Sequence, residues 1–303
     1  FDIILPTYLP NLAVFKEFFI TPIEKENDIQ RQELLKKLIK PFILRRRKKD
    51  VLFDLPEKIE EIAYADLSNE QKHLYNEIIT ESKKTIMDNL KDQAKPVSYV
   101  HIFSILSKLK QICDHPSLVL KDVDRYESHE SGKFELFIEL LNEAKESSQK
   151  VVVFSQYLNM IEIIKKYLKK KSIGYACITG VTKKRFNEIK KFKEDPKCLV
   201  FVASLLAAGV GIDLSAGSVV IHFDRWWNPA KENQATDRVH RIGQNRGVQV
   251  FKLVTKNTIE ERIHMIIERK KHLIEQTIGV DEADQIKSLS RQDLIEVLEK
   301  LQE

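Results

Sequence analysis

From about residue 130 onward the chain repeats one pattern, a short β-branched apolar run followed by a longer amphipathic stretch. The runs are "KVVVFS" from Lys150, "GYACIT" from Gly174, "CLVFVAS" from Cys198, "SVVIHF" from Ser218 and "VQVFKLVT" from Val248. Runs this uniformly apolar have to be covered on both sides, and strands separated by helices run parallel. The stretches between them read as a helix through Lys171, a basic helix from Lys183 to Glu194, one opening at Pro229 and a long one from Thr258 to Ile278. The expected fold class is therefore α/β, a parallel sheet with helices on both faces.

Residues 1 to about 125 have a different rhythm and read as mostly helical. "RQELLKKLIKPFIL" has helical apolar spacing that breaks at Pro41. "LSNEQKHLYNEIITESKKTIMDNL" opens with Ser68 and has Gln71 three residues later, a capping-box pattern. "PVSYVHIFSILSKLKQICDHP" is a further helix stopped by Pro116. Between them "DLPEKIEEIAYADL" lacks helical periodicity and reads as an extended connector, and "SRQDLIEVLEKL" near the end reads as a last helical segment.

Composition narrows the class. At 303 residues and 43% hydrophobic, the chain has ample core for one large or two medium domains. It begins at Phe1, so it is expected to be a piece of something longer. No stretch is apolar for 18 residues in a row, so no membrane span is expected, and no signal peptide is visible. Cys113, Cys177 and Cys198 are odd in number and widely spaced, which excludes a metal spacing or disulfide framework and points to a reducing compartment. They read as small buried hydrophobes. The net charge of +5 is mild but clustered, in "RRRKKD" (Arg45 to Lys49 carry the charge), "KKYLKKK" and "KKRFNEIKKFK". The last two read as solvated helix faces, and the first as a nucleic-acid contact or a junction between elements.

In open α/β sheets ligands bind beyond the carboxyl ends of the strands. Three loops leave such ends: Ser155-Gln156, "SLLAAGVGIDLS" and "DRWWNPAKENQ". Gly209 and Gly211 allow backbone to approach a ligand or simply make a tight turn. Asp213 can accept from ribose hydroxyls or cap a turn. The third loop runs into "NQATDRVHRIGQ", where Gln234, Arg238 and Arg241 stand at i, i+4 and i+7 and so line one face of an expected helix. Asn228 is the expected N-cap, Pro229 the first helical residue and Gly243 the closing residue. Two readings of that face stay open, a solvated polar face or donors aimed at an anion such as a triphosphate. No GxxxxGK[ST] loop occurs, "SGKFEL" at Ser131 lacks its spacing, and no acidic pair is placed to hold magnesium. Phosphate clamps are present without a phosphate cradle.

"DRWWNPAKENQATDRVHRIGQ" resembles the last helicase motif of the Swi/Snf family of ATP-dependent DNA translocases, within the superfamily-two helicases. Further matches run in order. "FKEFFITPIE", "IKPFILRRRKKDVLFDLPEK", "LSNEQKHLYNEII" and "LKQICDHPSLV" are similar to the junction of the two motor lobes and its helical insertion. "SGKFELFIELL", "KVVVFSQYLNMIEII" and "LVFVASLLAAGVGIDLSAGSVVIHFD" are similar to the opening of lobe two and its fourth and fifth motifs. The resemblance implies two RecA-like lobes with ATP and Mg2+ between them, the phosphate loop and metal-binding carboxylates belonging to lobe one of the same polypeptide. It implies residues 1–56 as the tail of lobe one and the junction, 57–127 as connector and insertion, 128–281 as the RecA-like lobe, and 282–303 as a terminal helical segment.

Position by position, the resemblance makes Arg241 the arginine finger, with Arg238 the second catalytic arginine and Gln234 a sensor of the γ-phosphate or a coupler of the lobes. Gly209, Gly211 and Asp213 fall where the fifth motif approaches the nucleotide. Ser155, Gln156, Ser204 and Trp227 are the implied contacts to the DNA backbone, with Trp226 the packing tryptophan. Arg45 and Arg46 are implied to meet DNA or lobe one. Partners are then double-stranded DNA, lobe one and DNA-bound proteins, without membrane. Location is intracellular, in the cytoplasm or nucleoid of a prokaryote or the nucleus of a eukaryote. The fifth motif departs from the family's "STRAGGLGINL": Leu205 and Leu206 replace a hydroxyl and an arginine, Ala208 a glycine and Asp213 an asparagine. Weaker DNA grip or altered coupling is expected of that loop. The alternatives are a strand-separating DNA or RNA helicase and a non-catalytic DNA-binding or protein-binding module. The 303 residues alone are expected to hydrolyse essentially no ATP.

Overall fold

The computed structural model describes residues 5–25, 28–42, 55–91, 99–208, 211–227 and 229–274. They divide into two units, Phe1–Asp54 and Leu55–Glu303. In the first, a helix over Ile29–Ile39 is capped by the Asp28 carboxylate, which accepts from Arg31 N at 3.0 Å. That helix gives way to a 3-10 turn, Lys40–Phe42, at Pro41, which has no N–H to continue the ladder.

The second unit runs β1 (Lys58–Ala65), α1 (Asn69–Lys91), α2 (Tyr99–Asp114), α3 (Gly132–Glu146), β2 (Val151–Ser155), α4 (Leu158–Lys170), β3 (Gly174–Ile178), α5 (Arg185–Glu194), β4 (Cys198–Ser204), β5 (Val219–His222), α6 (Pro229–Thr236), β6 (Val248–Thr255) and α7 (Ile259–Ile274). All six strands pair in parallel, in the order β1-β6-β5-β2-β4-β3. The fold is the RecA-like helicase lobe. Alternate residues of the central strands feed opposite faces, as a doubly covered sheet requires. Val151 and Val153 of β2, Val200 and Val202 of β4, and Val219 and Ile221 of β5 pack beneath α3 and α4. Val152, Phe154, Phe201, Ala203 and Val220 pack on the other side with Phe192 of α5 and Trp226. Each such side chain removed from water contributes roughly 1.5–3 kcal/mol.

The stretch expected to be a connector is extended, but it is a strand of the sheet. Lys58 to Ala65 pair with Val248 to Thr255. As an edge strand, β1 exposes Ile59, Glu60 and Glu61 and so carries no apolar run to announce it.

The capping box at α1 forms: Gln71 N donates to Ser68 Oγ at 3.1 Å, and Ser68 N donates to Gln71 Oε1 at 3.0 Å. Gln71 also donates from Nε2 to Ile112 O at 2.6 Å and accepts from Gly132 N at 3.2 Å, tying three helix ends together. The glycine of "SGKF" answers to this junction, since a Cβ on Gly132 would stand 2.0 Å from Asp66 O. Cys113 and Cys198 are buried and Cys177 half-buried, all three free thiols. The terminal helical segment expected over 282–303 lies outside the described residues, as do Arg45, Arg46, Gly209 and the N-cap Asn228.

Candidate functional site

Because all strands run the same way, their carboxyl ends form one rim, and the loops after β2, β4 and β5 leave it. After β5, Asp224 turns its carboxylate back toward β2. It accepts from Ser155 Oγ and from Gln156 N, the latter at 3.1 and 3.2 Å to its two oxygens. Burial pushes the Asp224 pKa up, against Lys110 and these hydrogen bonds. Ser155, expected to meet DNA, is instead 1% exposed with its hydroxyl committed to Asp224. Gln156 lies on the rim, and its Nε2 has no hydrogen-bond partner.

After β4, Leu205–Ala208 form one helical turn, and Gly211 follows with φ +52°. Asp213 accepts from Ser215 N at 3.2 Å, so it caps this turn, and it stands 3.6 Å from Lys193 Nζ. Burial alone would raise the Asp213 pKa, but Ser215, Lys193 and Arg241 hold it below the usual value, and it is ionised. Ser204 at the end of β4 is buried.

The single helix expected to carry Gln234, Arg238 and Arg241 on one face is corrected. α6 opens at Pro229 but ends at Thr236, so the three side chains do not share one helix face. The ladder gives way where Arg238 N bonds Ala235 O at 3.0 Å in place of Gln234 O, and the Arg238 carbonyl is taken by Leu214 N at 2.9 Å. Tight turns follow, with Val239 N and His240 N both bonded to Thr236 O. Gln234 is exposed on α6, while Arg238 and Arg241 are half-buried on the turns beyond it. Arg241 Nη1 donates to Ile212 O at 3.4 Å, which sets the guanidinium beside the Asp213 turn.

Gln244 fixes this arrangement, a role the sequence did not reveal. Its buried amide donates to Gly217 O at 2.7 Å, Ser215 O at 3.1 Å and Val239 O at 3.3 Å, and accepts from Asn245 N and Arg246 N. Gly243, at φ +97°, makes the turn beside it rather than closing α6.

Trp227, implied by the resemblance to meet DNA, is nearly enclosed. Both tryptophans are 7% exposed. Trp226 packs with the β4 and β5 core, and Trp227 with Tyr75, Ile79, Ile105 and Ile263 of α1, α2 and α7. Beneath them lie buried charges that the sequence had presented as ordinary polar positions. Arg225 Nε donates to Glu232 Oε1 at 3.0 Å, and its Nη1 lies 2.7 Å from His264 Nδ1. Lys110 Nζ donates to Arg225 O at 2.7 Å. The available signal was the placement of Lys110 on the apolar face of α2, beside Leu106, Leu109 and Cys113. Among the described residues no group of three or more His, Cys, Asp or Glu side chains converges as a metal site would.

Residues 1–118 match the SNF2-related domain, and residues 132–243 the helicase conserved C-terminal domain. The solved C-terminal domain of the Sulfolobus solfataricus SWI2/SNF2 ATPase has a TM-score of 0.62 and 32% identity, covering 80% of this chain and 98% of that one. The chain belongs to the SWI2/SNF2 family. The core of the same archaeal ATPase, solved in complex with double-stranded DNA, is 37% identical to this SWI2/SNF2 chain with a TM-score of 0.65, covering 98% of it and 62% of that chain. An uncharacterized ATP-dependent helicase of Mycoplasma genitalium is 40% identical over 302 residues, covering 99% of this chain and 28% of that protein. The chain thus spans less than a third of that curated relative's length.

Proposed function

We propose that these residues are the second motor lobe of an ATP-dependent double-stranded DNA translocase, a helicase-like ATP hydrolase of the chromatin-remodelling type. The lobe is built from residues 128–281 together with β1, which precedes the helical insertion. Arg241 is its arginine finger and Arg238 the second catalytic arginine, while Gln234, Gly209, Gly211 and Asp213 border the nucleotide. The observation that carries the reading is the seat of Arg241. Its guanidinium donates to the Ile212 carbonyl in the loop after β4, beside the ionised Asp213. A planar donor set of this kind supports a role in meeting phosphate oxygens offered by a facing lobe. Magnesium is assigned to lobe one.

On the DNA side stands Gln156, which follows β2 on the rim with its backbone N held by Asp224. The duplex complex of the archaeal relative supports duplex DNA as the ligand. Contacts of this kind follow the backbone, so binding is sequence-independent and weakens with salt.

The test is ATPase of the full-length protein, wild type against Arg241→Ala, on double- and single-stranded DNA. Stimulation by duplex that falls ~10³-fold in the variant is the expected result. Preference for single strands or RNA would make the protein a strand-separating helicase instead. The purified 303 residues are expected to show no turnover, and turnover lost with Arg241→Ala would overturn that.

A further inference from the structure

Two adjacent side chains under the rim point in opposite directions. β2 is followed in sequence by strands on one side of it, and β5 by β6 on the other, so the loops after β2 and β5 diverge. A crevice opens between them, at the switch point of the sheet. Asp224 spans it, accepting from Ser155 and Gln156 of the β2 loop. Arg225 faces the other way, into Glu232 of α6 and His264 of α7. Glu232 Oε1 also accepts from Trp226 N at 2.7 Å. The peptide that follows Arg225 is held in turn, because Lys110 of α2 donates to Arg225 O.

Such a connection is poorly explained as a source of stability. A buried ion pair offsets little more than its own desolvation, whereas its geometry is strict and directional. It also has a second arrangement within reach. Glu232 Oε2 has no hydrogen-bond partner and stands 4.0 Å from Lys252 Nζ, which is now held by Glu60 at 2.7 Å. A carboxylate between two cations, one bonded and one waiting, is the kind of element that carries coupling between sites.

Resting on the function proposed above, we propose that Asp224 and Arg225 form the lever that couples DNA engagement at the β2 loop to the set of α6 and of the two arginines on the turns that follow it. Neither side chain touches DNA or nucleotide; both are positioning residues. When the β2 loop shifts, Asp224 moves with it, the Arg225 guanidinium turns against Glu232, and α6 is re-aimed. Lys110 is the fixed point from the helical insertion.

The experiment is steady-state ATPase of the full-length protein with and without saturating duplex, for wild type and Asp224→Asn. The variant keeps the side chain's shape and removes its charge and one of its acceptors. Expected is an about tenfold fall in the ratio of stimulated to basal turnover. Basal turnover and the KM for ATP stay within about twofold of wild type, as for a group that acts only through coupling. An unchanged ratio in a folded variant overturns the lever. Parallel loss of basal and stimulated rates overturns it too, since that is the mark of a merely structural role. If Asp224→Asn proves unstable, Glu232→Gln cuts the lever on its other side and carries the same ratio test. A wild type that duplex does not stimulate sinks the DNA reading itself, which separates that failure from failure of the lever alone.

Discussion

The lobe contains two buried ionic clusters of similar chemistry, and they differ in what they hold. Lys133 is fully enclosed, its Nζ 2.8 Å from Asp114 Oδ1 and 2.5 Å from Glu260 Oε1. Its partners stand at the end of α2 and the start of α7, and Glu260 also accepts from Thr255 N at 3.0 Å. The residues that form its ion pairs all sit on helices. Arg225 has the same pattern, a cation between two acceptors, but its backbone belongs to a rim loop and its carboxylate partner to the short α6. One cluster fastens elements to each other, and the other fastens loops to elements. Buried charge near a rim is therefore a candidate for mechanism, while buried charge between long helices is a candidate for architecture.

The largest expected effect tests that division directly. Lys133→Met removes the cation and strands two buried carboxylates, which should cost about 3–5 kcal/mol of stability. Denaturant unfolding reads it, and the ratio of duplex-stimulated to basal ATPase in the surviving folded protein should be unchanged. A variant that stays stable but loses the ratio would erase the distinction between the clusters.

A second test uses the histidine beside each cluster. Burial pushes His115, which follows α2, and His222, at the end of β5, down to about 4. Both are neutral in the fold, whereas in the unfolded chain they take up a proton near pH 6.5. Their contribution is present above pH 6.5 and is lost as pH falls toward 4, by about 2 kcal/mol each at pH 5. His222 Nε2 lies 2.8 Å from Thr236 Oγ1, so His222→Asn keeps a polar partner there and should flatten the acid slope of unfolding. An unchanged slope would mean that this ring titrates normally.

What the sequence disclosed, and what it hid, follows from how far apart the interacting residues lie. β2, β4 and β5 were legible because a strand covered on both faces has to be apolar throughout, as Val151 to Phe154 are. The Ser68–Gln71 box was legible because its partners are three residues apart. The three rim loops were legible because strand ends mark them. β1 was hidden because an edge strand carries glutamates on its open side. The end of α6 was hidden because the turns after it are tied down by Leu214, 24 residues before Arg238. Lys133 was hidden for the same reason, since its partners lie 19 and 127 residues away. A charged residue reads as exposed until such a partner is known.

The last test concerns the two leucines that depart from the family pattern, which the structure separates, and its Leu206 arm carries the smallest expected effect. Leu205 is 5% exposed, packed with Ala203, Ala207, Ile212 and Leu214, while Leu206 is 65% exposed. The pair therefore does not act as one lost polar contact. Leu205→Thr buries a hydroxyl in place of a branched apolar chain and should cost about 2–3 kcal/mol of stability. Leu206→Arg should change stability by less than about 0.5 kcal/mol, as surface substitutions do. If the loop after β4 lies along the DNA backbone, the new cation releases one more counterion, and the slope of log affinity against log salt steepens by about one. Duplex binding by the full-length protein over a salt series reads it. An unchanged slope would put Leu206 off the DNA track and leave the β2 loop, with Gln156 and the Asp224 brace behind it, as the part of the rim that senses DNA.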